Sequence, residues 1–132
     1  MPSVDSIGGN VERILVIDDD QEILNLVSKV LTHIGYEVEV AHDGEEGIRL
    51  FDSNKAFGCV VTDIHMPKIN GNQVAEYIRS AAVSDIPVIA ITGFDNEQID
   101  RKLFHASLMK PFKLRTLVEL IRQFTSEHQM FG

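Results

Sequence analysis

Acidic side chains follow two apolar segments of this sequence, at points where each segment ends. Asp18 and Asp19 come directly after the apolar residues 14–17, and Asp63 closes the apolar run that covers residues 57–62. Carboxylates brought close together repel one another, and either a raised pKa or a bound cation relieves that repulsion. A small number of oxygen ligands suits Mg²⁺, which keeps several of its own waters. If the two segments are neighbouring strands, the sequence predicts a Mg²⁺ site with room for a phosphate.

Thr92 and Lys110 hold the same place after two later apolar segments. Taken singly, each of these residues has a simpler explanation. A threonine at a strand end is ordinary, a lysine is usually a solvated charge, and a lone aspartate such as Asp63 more often forms a turn. Asp20 is better explained as the N-cap of the following helix. The interpretation as a site therefore depends on the joint placement of these side chains.

Strand-like and helix-like patterns alternate along the chain from about residue 11. Residues 14–17, 57–62 and 86–91 are unbroken apolar runs of strand length, which is typical of parallel strands covered on both faces. Residues 37–40 alternate valine with glutamate and predict an edge strand, while residues 107–109 predict a short last strand.

Apolar residues recur at helical spacing in the intervals, over residues 23–34, 44–51, 74–82 and 114–124, with a weaker helix near residues 95–104. Five such strand–helix units are fewer than the eight of a closed barrel, so we predict an α/β fold with an open, doubly wound parallel sheet and helices on both faces. In such sheets, ligands bind at the carboxyl ends of the central strands.

The bulk composition is that of one soluble domain. The chain has 132 residues, of which 44% are hydrophobic and 24% charged. Its formal net charge of −8 disfavours direct binding to nucleic acid or to an anionic membrane. The single cysteine, Cys59, excludes an internal disulfide and indicates a buried thiol, and no signal peptide or membrane segment is evident. We therefore expect a cytoplasmic protein.

The order of the polar motifs resembles the receiver domain of two-component response regulators. The resemblance runs from about Val11 to Gln123 and rests on Asp18-Asp19, Asp63-Ile64-His65-Met66-Pro67 with Asn70-Gly71, Thr92, and Lys110-Pro111-Phe112. Each motif alone is weak, whereas four in order at the expected strand ends are specific. The resemblance implies a flavodoxin-like, five-stranded sheet of strand order 2-1-3-4-5. We place the receiver domain at residues 11–128. Residues 1–10 are small, polar and glycine-containing and predict a flexible tail, and residues 129–132 are expected to form a short tail at the other end.

Receiver domains accept a phosphoryl group from a histidine of a sensor kinase or phosphotransfer protein, and the resemblance gives the acceptor role to Asp63. Asp19 and Asp63 would bind Mg²⁺ directly, for which Mn²⁺ could substitute, and Asp18 would bind it through water. The backbone carbonyl of His65 would complete the protein ligands. The cation would let a carboxylate approach a phosphorus surrounded by negative oxygens.

The resemblance assigns Lys110 and Thr92 to the phosphoryl group itself. Lys110 would pair with a phosphoryl oxygen and Thr92 would donate a hydrogen bond to one. The peptide bond between Lys110 and Pro111 is expected to be cis. Phosphorylation would draw Thr92 inward and shift an equilibrium between two surface arrangements, to be read by a downstream effector or by a phosphorylation-dependent homodimer.

Ser107 marks a departure from the family pattern. Receiver domains usually carry an aromatic residue three positions before the lysine, and the interval from Thr92 to Lys110 is also shorter by about one helical turn. We therefore expect partner recognition through a different surface, or a movement of the threonine loop without the aromatic residue.

His65 and Phe94 stand two residues after the acceptor aspartate and the threonine, where family members tune the lifetime of the acyl phosphate. If Phe94 shields the phosphoryl group from water, we expect slow loss of phosphate. Phe94→Ala should then shorten the lifetime of the acyl phosphate.

Two other functions stay open at this point. Asp18 and Asp20 superficially match the D-x-D pattern of haloacid-dehalogenase-like phosphatases, although that pattern wants threonine or valine where Glu22 stands, and the chain is short for the usual cap domain. The altered region around Ser107 instead suggests a pseudo-receiver, a binding module that keeps the fold without phosphorylation. We predict a phosphoacceptor signalling domain, not an enzyme beyond its own phosphotransfer and dephosphorylation.

Overall fold

A five-stranded parallel sheet forms the centre of the structure. The computed structural model describes residues 12–53, 56–81, 85–93 and 99–130, the last five by their backbone alone. The strands are β1 (Arg13–Ile17), β2 (Glu37–Ala41), β3 (Cys59–Asp63), β4 (Val88–Thr92) and β5 (Ala106–Met109). Their order is β2-β1-β3-β4-β5, and all four neighbouring pairs are parallel. The predicted open sheet of order 2-1-3-4-5 is confirmed.

Helices connect the strands and cover both faces of the sheet. They are α1 (Gln21–Ile34), α2 (Gly44–Ser53), α3 (Gly71–Ala81) and α4 (Leu114–Met130). The weak helix predicted near residues 95–104 falls partly outside the described residues, and its described part forms a 3₁₀ turn at Arg101–Leu103. Within the described ranges, no helix combines the length and apolarity needed to cross a bilayer.

Two apolar clusters hold the helices on the sheet. The cluster beneath α2 and α3 includes Leu15, Phe51, Val60 and Ile78, and that beneath α1 and α4 includes Ile14, Leu24, Val61, Ile89 and Leu117. Each large aliphatic side chain buried in this way contributes about 1.5–3 kcal/mol. β3 and β4 are buried along their whole length, whereas β2 at the edge is partly exposed, as the unbroken and alternating patterns predicted.

The start of α1 fixes the chain directly after β1. Asp20 lies in an extended conformation, and its side chain accepts hydrogen bonds from the backbone N–H groups of Glu22 and Ile23. This is the N-cap role predicted for Asp20, and it satisfies two of the free donors at the helix start. At the other end, Gly35 has φ 125° and donates its N–H to the Leu31 carbonyl.

Gly47 allows α2 to approach the end of β1. A Cβ atom at this position would lie 2.9 Å from Cγ1 of Ile17 and nearer still to its Cδ1. Ile17 is fully buried and directly precedes Asp18, so the close approach of α2 helps to fix the strand end from which the acidic side chains project.

Gly47→Ala should destabilise the protein, although glycine to alanine at an exposed helix position usually stabilises by about 1 kcal/mol. The reason is overpacking against Ile17, which typically costs about 1–3 kcal/mol. Ile17→Val removes the Cδ1 atom that the new methyl group meets, so the double variant should recover part of the loss. Urea unfolding of Gly47→Ala, Ile17→Val and the double variant measures this, with Glu45→Ala on the exposed side of α2 as the control. Strictly additive losses would contradict the contact.

Candidate functional site

Three carboxylates meet at the carboxyl ends of the neighbouring strands β1 and β3. Asp18, Asp19 and Asp63 each offer an oxygen, and these oxygens lie within 4.8 Å of one another. Asp18 and Asp63 are buried, with 0% and 4% exposure, whereas Asp19 is exposed. In the part of the chain that the structure describes, this is the one group of acidic, histidine or cysteine side chains that could share a metal ion. The structure thus brings together the aspartates that the sequence places at strand ends.

Lys110 supplies the positive charge of this acidic pocket. Its Nζ lies 3.3 Å from Oδ2 of Asp18 and 3.5 Å from Oδ2 of Asp63. Its backbone N–H donates to the Thr92 carbonyl oxygen at 2.7 Å, which joins the ends of β4 and β5. The Lys110-Pro111 peptide bond is cis, as the resemblance implied.

The charges within the pocket do not balance. Burial, and then the nearby charge of Asp18, raise the pKa of Asp63 to about 7, although Lys110 acts in the opposite direction. Burial also raises the pKa of Asp18, against the hydrogen bond from the Asp20 N–H and the attraction of Lys110. Burial by itself lowers the pKa of Lys110, but the attraction of Asp18 and Asp63 outweighs it and the pKa is raised. One ammonium group therefore faces three carboxylates, an excess that a divalent cation would neutralise.

One oxygen of Asp18 supports this reading independently of charge. Oδ1 accepts the backbone N–H of Asp20 at 2.8 Å, whereas Oδ2 is buried and accepts no hydrogen bond from the described residues. Lys110 Nζ is 3.3 Å from Oδ2 but does not lie in a hydrogen-bonding direction. A buried oxygen that accepts no hydrogen bond is costly, and a hard cation or its bound water would satisfy it. The donor set therefore fits a Mg²⁺ ion.

The loop after Asp63 is fixed from two sides. The Ile64 N–H donates to the Ile91 carbonyl at 2.9 Å, and the Ile64 carbonyl accepts the N–H of Gly71 at 2.8 Å. A Cβ atom on Gly71 would lie 2.8 Å from the Cα of Ile64 and closer still to the Asp63 carbonyl oxygen, so glycine permits α3 to start there. His65 lies in this loop with an exposed side chain.

The expected switch residues lie on the last two strands. Thr92 ends β4 beside the pocket with 4% exposure, and Met109 is its register partner on β5. Ser107 pairs with Ala90 and is exposed, so a small polar side chain occupies the usually aromatic position. Phe94 lies outside the described residues, and its shielding role stays a prediction.

The sequence pattern did not reveal an apolar cleft next to the pocket. The cleft has a volume of about 470 Å³ and is lined by Ile23, Leu26 and Val27 of α1 together with Lys110, Pro111 and Phe112. Leu26 is 56% exposed. Because Leu26 follows Ile23 at the spacing of core-facing residues, helical periodicity gives no sign of this exposure. Lys110 borders both the cleft and the acidic pocket.

The fold and the acidic pocket match one protein family. The family model described as the response regulator receiver domain matches residues 14–122. The chain is a member of that family. The resemblance read from the motifs is confirmed, and the pocket formed by Asp18, Asp19 and Asp63 fits a phosphoacceptor site.

Related proteins show how far the likeness extends. The receiver domain is 33% identical over 127 residues to the transcriptional regulatory protein TrcR of Mycobacterium tuberculosis, covering 92% of this chain and 48% of TrcR. This chain spans about half the length of TrcR and of the other regulators to which its sequence is similar. A receiver domain protein from Clostridium thermocellum has a TM-score of 0.81 at 28% identity, covering 92% of this chain and 100% of that one. TrrA from Thermotoga maritima, solved in complex with Mg²⁺-BeF, has a TM-score of 0.77 at 31% identity. The match covers 86% of this chain and 99% of TrrA.

Asp63→Asn should stabilise the metal-free receiver domain by about 1 kcal/mol or more, because it removes a buried charge that lies beside another carboxylate. It should also remove most of the stabilisation that Mg²⁺ gives by binding the folded state. Thermal unfolding with and without Mg²⁺ measures both effects. A pH of about 8 is above the pKa of Asp63, which is about 7, so that this carboxylate is charged during the measurement.

Asp20→Asn is the matched control for this measurement. It changes a carboxylate on the same rim, but asparagine caps a helix as well as aspartate does, so both quantities should change little. An equal response to Mg²⁺ in the wild type and in Asp63→Asn would contradict the metal site.

Proposed function

We propose that Asp63 accepts a phosphoryl group from a phosphohistidine of a sensor histidine kinase or a histidine phosphotransfer protein. The observation that supports this most directly is the buried carboxylate pair beneath Lys110. Within the pair, the side chain of Asp18 has 0% exposure and that of Asp63 has 5%. Asp18 is also engaged by the N–H of Asp20, so Asp63 offers the more accessible nucleophilic oxygen.

We further propose a Mg²⁺ ion in this pocket, with Mn²⁺ as a substitute. Asp19 and Asp63 would hold it directly, Asp18 through a water molecule, and the backbone carbonyl of His65 would be a further ligand. When bound, the ion offsets the charge of the carboxylates and so permits the approach of an anionic phosphoryl group.

Protein side chains account for the transfer step itself. An oxygen of Asp63 forms the new bond to phosphorus while the bond between phosphorus and the donor imidazole nitrogen breaks. The electron pair stays on the imidazole, which leaves neutral when its other ring nitrogen carries a proton. Lys110 pairs with a phosphoryl oxygen and the hydroxyl of Thr92 donates to another, so that both stabilise charge without being consumed.

The response to phosphorylation would begin at Thr92. Its carbonyl accepts the N–H of Lys110 at 2.7 Å, so an inward movement of Thr92 would also involve the end of β5. A shift between two arrangements of this rim is what an effector or a second copy of the domain would read.

The remaining expectations belong to the same proposal. We place the receiver domain at residues 11–128 and the protein in the cytoplasm. Burial raises the pKa of the Cys59 thiol to about 12 and leaves it unreactive, so its chemistry does not require an oxidising compartment. We propose no direct contact with nucleic acid or membrane, in keeping with the net charge of −8.

The alternative functions differ in what they require of named residues. A phosphatase of the D-x-D type would need the side chain of Asp20 in its site, but that side chain already caps α1. The exposed Ser107 is the feature that favours a pseudo-receiver, because the usual aromatic residue is missing from the surface near Thr92.

Incubation with Mg²⁺ and acetyl phosphate should give a stoichiometric phosphoryl adduct that intact-mass spectrometry detects, and Asp63→Asn should abolish it. Asp20→Asn should leave the adduct unchanged. Rapid turnover of acetyl phosphate without an adduct would instead indicate a hydrolase, and Mg²⁺ binding with neither turnover nor adduct would indicate a pseudo-receiver.

The apolar cleft indicates where the phosphohistidine donor would dock. A protein that delivers a phosphoryl group to Asp63 has to cover the rim of the pocket, and the cleft shares Lys110 with that rim. Leu26 is exposed there and would give an incoming helix an apolar contact. We therefore propose that the donor protein occupies this cleft.

Leu26→Glu should reduce the rate of phosphotransfer from a histidine kinase or phosphotransfer protein by about tenfold or more, because it places a charge in an apolar interface. Phosphorylation by acetyl phosphate, which needs no docking surface, should stay within about twofold. Thr32→Glu is the control, since Thr32 is exposed on the same helix but does not line the cleft. Equal losses in both variants, or a loss with acetyl phosphate as well, would contradict docking in the cleft.

A further inference from the structure

Residues 99–105, the described residues that lead into β5, contact α3 at two points. We call residues 99–105 the connector. Near its start, the N–H of Asp100 donates to Oδ1 of Asn72 at 2.9 Å. At its end, Nη2 of Arg79 donates to the carbonyl oxygen of Leu103 at 3.2 Å and lies 3.1 Å from Nδ1 of His105. Asn72 is in the first turn of α3 and Arg79 in the last, so the helix holds the connector at two points.

Arg79 also fixes the approach to β4. Its Nη1 donates to the Ile86 carbonyl at 2.9 Å, so one planar guanidinium serves three acceptors at once. Nδ1 of His105 accepts the Val88 N–H at 3.2 Å, which makes this nitrogen the acceptor toward Arg79 as well. The guanidinium thereby joins α3, the start of β4 and the end of the connector.

The opposite end of α3 touches the proposed acceptor. Gly71, its first residue, donates to the Ile64 carbonyl, and its Cα packs so closely on the Asp63 carbonyl oxygen that a Cβ atom would not fit. A continuous series of contacts therefore runs from Asp63 through Gly71 and Asn72 to Asp100. Its steps are the close approach of Gly71 to the Asp63 carbonyl, the peptide bond between Gly71 and Asn72, and the hydrogen bond from the Asp100 N–H to Asn72.

We propose that α3 transmits the phosphorylation state of Asp63 to the connector, with Asn72 and Arg79 as the positioning residues. This inference rests on the proposed function. A helix of 11 residues moves as one body, so a shift of the backbone at Asp63 carries both side chains with it. The connector leads directly into β5, and the coupling therefore reaches the strand on which Ser107 replaces the usual aromatic residue.

Hydrogen–deuterium exchange of the whole chain in Mg²⁺, with and without acetyl phosphate, tests the coupling. In the wild type, phosphorylation should change amide exchange in the connector several-fold. In Asn72→Ala, which removes the acceptor for the Asp100 N–H, the adduct should form to the same extent while exchange in the connector no longer responds. Arg79→Lys, which keeps the charge but loses the planar fork, should weaken the response at residues 103–105.

Two further variants separate transmission from a general structural effect. Asn72→Asp keeps an oxygen acceptor in the first turn of α3, where a carboxylate is tolerated, and should restore the wild-type response. Glu76→Gln alters an exposed residue of the same helix and should leave the response unchanged. If Arg79→Lys does not fold, the two Asn72 variants decide the question.

The outcomes distinguish this inference from the function on which it rests. Full phosphorylation of the wild type with no change in connector exchange would overturn the coupling alone, as would a wild-type response in Asn72→Ala. Absence of any phosphoryl adduct on the wild type would overturn the proposed function and the coupling together.

Discussion

The burial of two carboxylates side by side, Asp18 at the end of β1 and Asp63 at the end of β3, is the constraint on which the rest of the site depends. Two such charges in a poorly hydrated place repel each other, and one lysine at 3.3 and 3.5 Å does not cancel them. The fold keeps them together because parallel neighbouring strands necessarily end at one rim, and two apolar clusters hold those strands in register. The apolar core thus opposes a local repulsion that protonation or a bound cation would relieve, which is why the pocket is suited to a divalent cation.

The sequence was sufficient for the sheet and for the composition of the pocket. Unbroken apolar runs predict buried parallel strands. Once the strand ends are known, the polar residue after each strand must lie at the carboxyl edge of the sheet. The strand boundaries were less accurate, since Phe57 and Ile86 were assigned to strands that begin two residues later. Phe57 is apolar because it packs against Phe51, with ring centroids 6.5 Å apart, and burial in a loop gives the same pattern as burial in a strand.

The connector and the cleft could not be predicted, for two different physical reasons. The bonds from Asn72 to Asp100 and from Arg79 to Leu103 join residues 28 and 24 positions apart, and no local periodicity links a side chain to a distant backbone group. The exposure of Leu26 depends on what α1 packs against, and its spacing from Ile23 is the same as that of a core residue. Both features depend on tertiary contacts, which sequence periodicity does not report.

Lys110 borders the acidic pocket and the apolar cleft at the same time, and this has a consequence for selectivity among donors. A protein seated in the cleft would displace water from the lysine, and an ammonium group that has lost water attracts an anion more strongly than a hydrated one. A donor protein that fills the cleft would thus raise the rate of transfer by more than its affinity alone explains. A small donor that leaves water in the cleft would not raise the rate in this way. Discrimination would then be expressed in turnover rather than in affinity, and a partner could dissociate readily after each transfer without losing specificity.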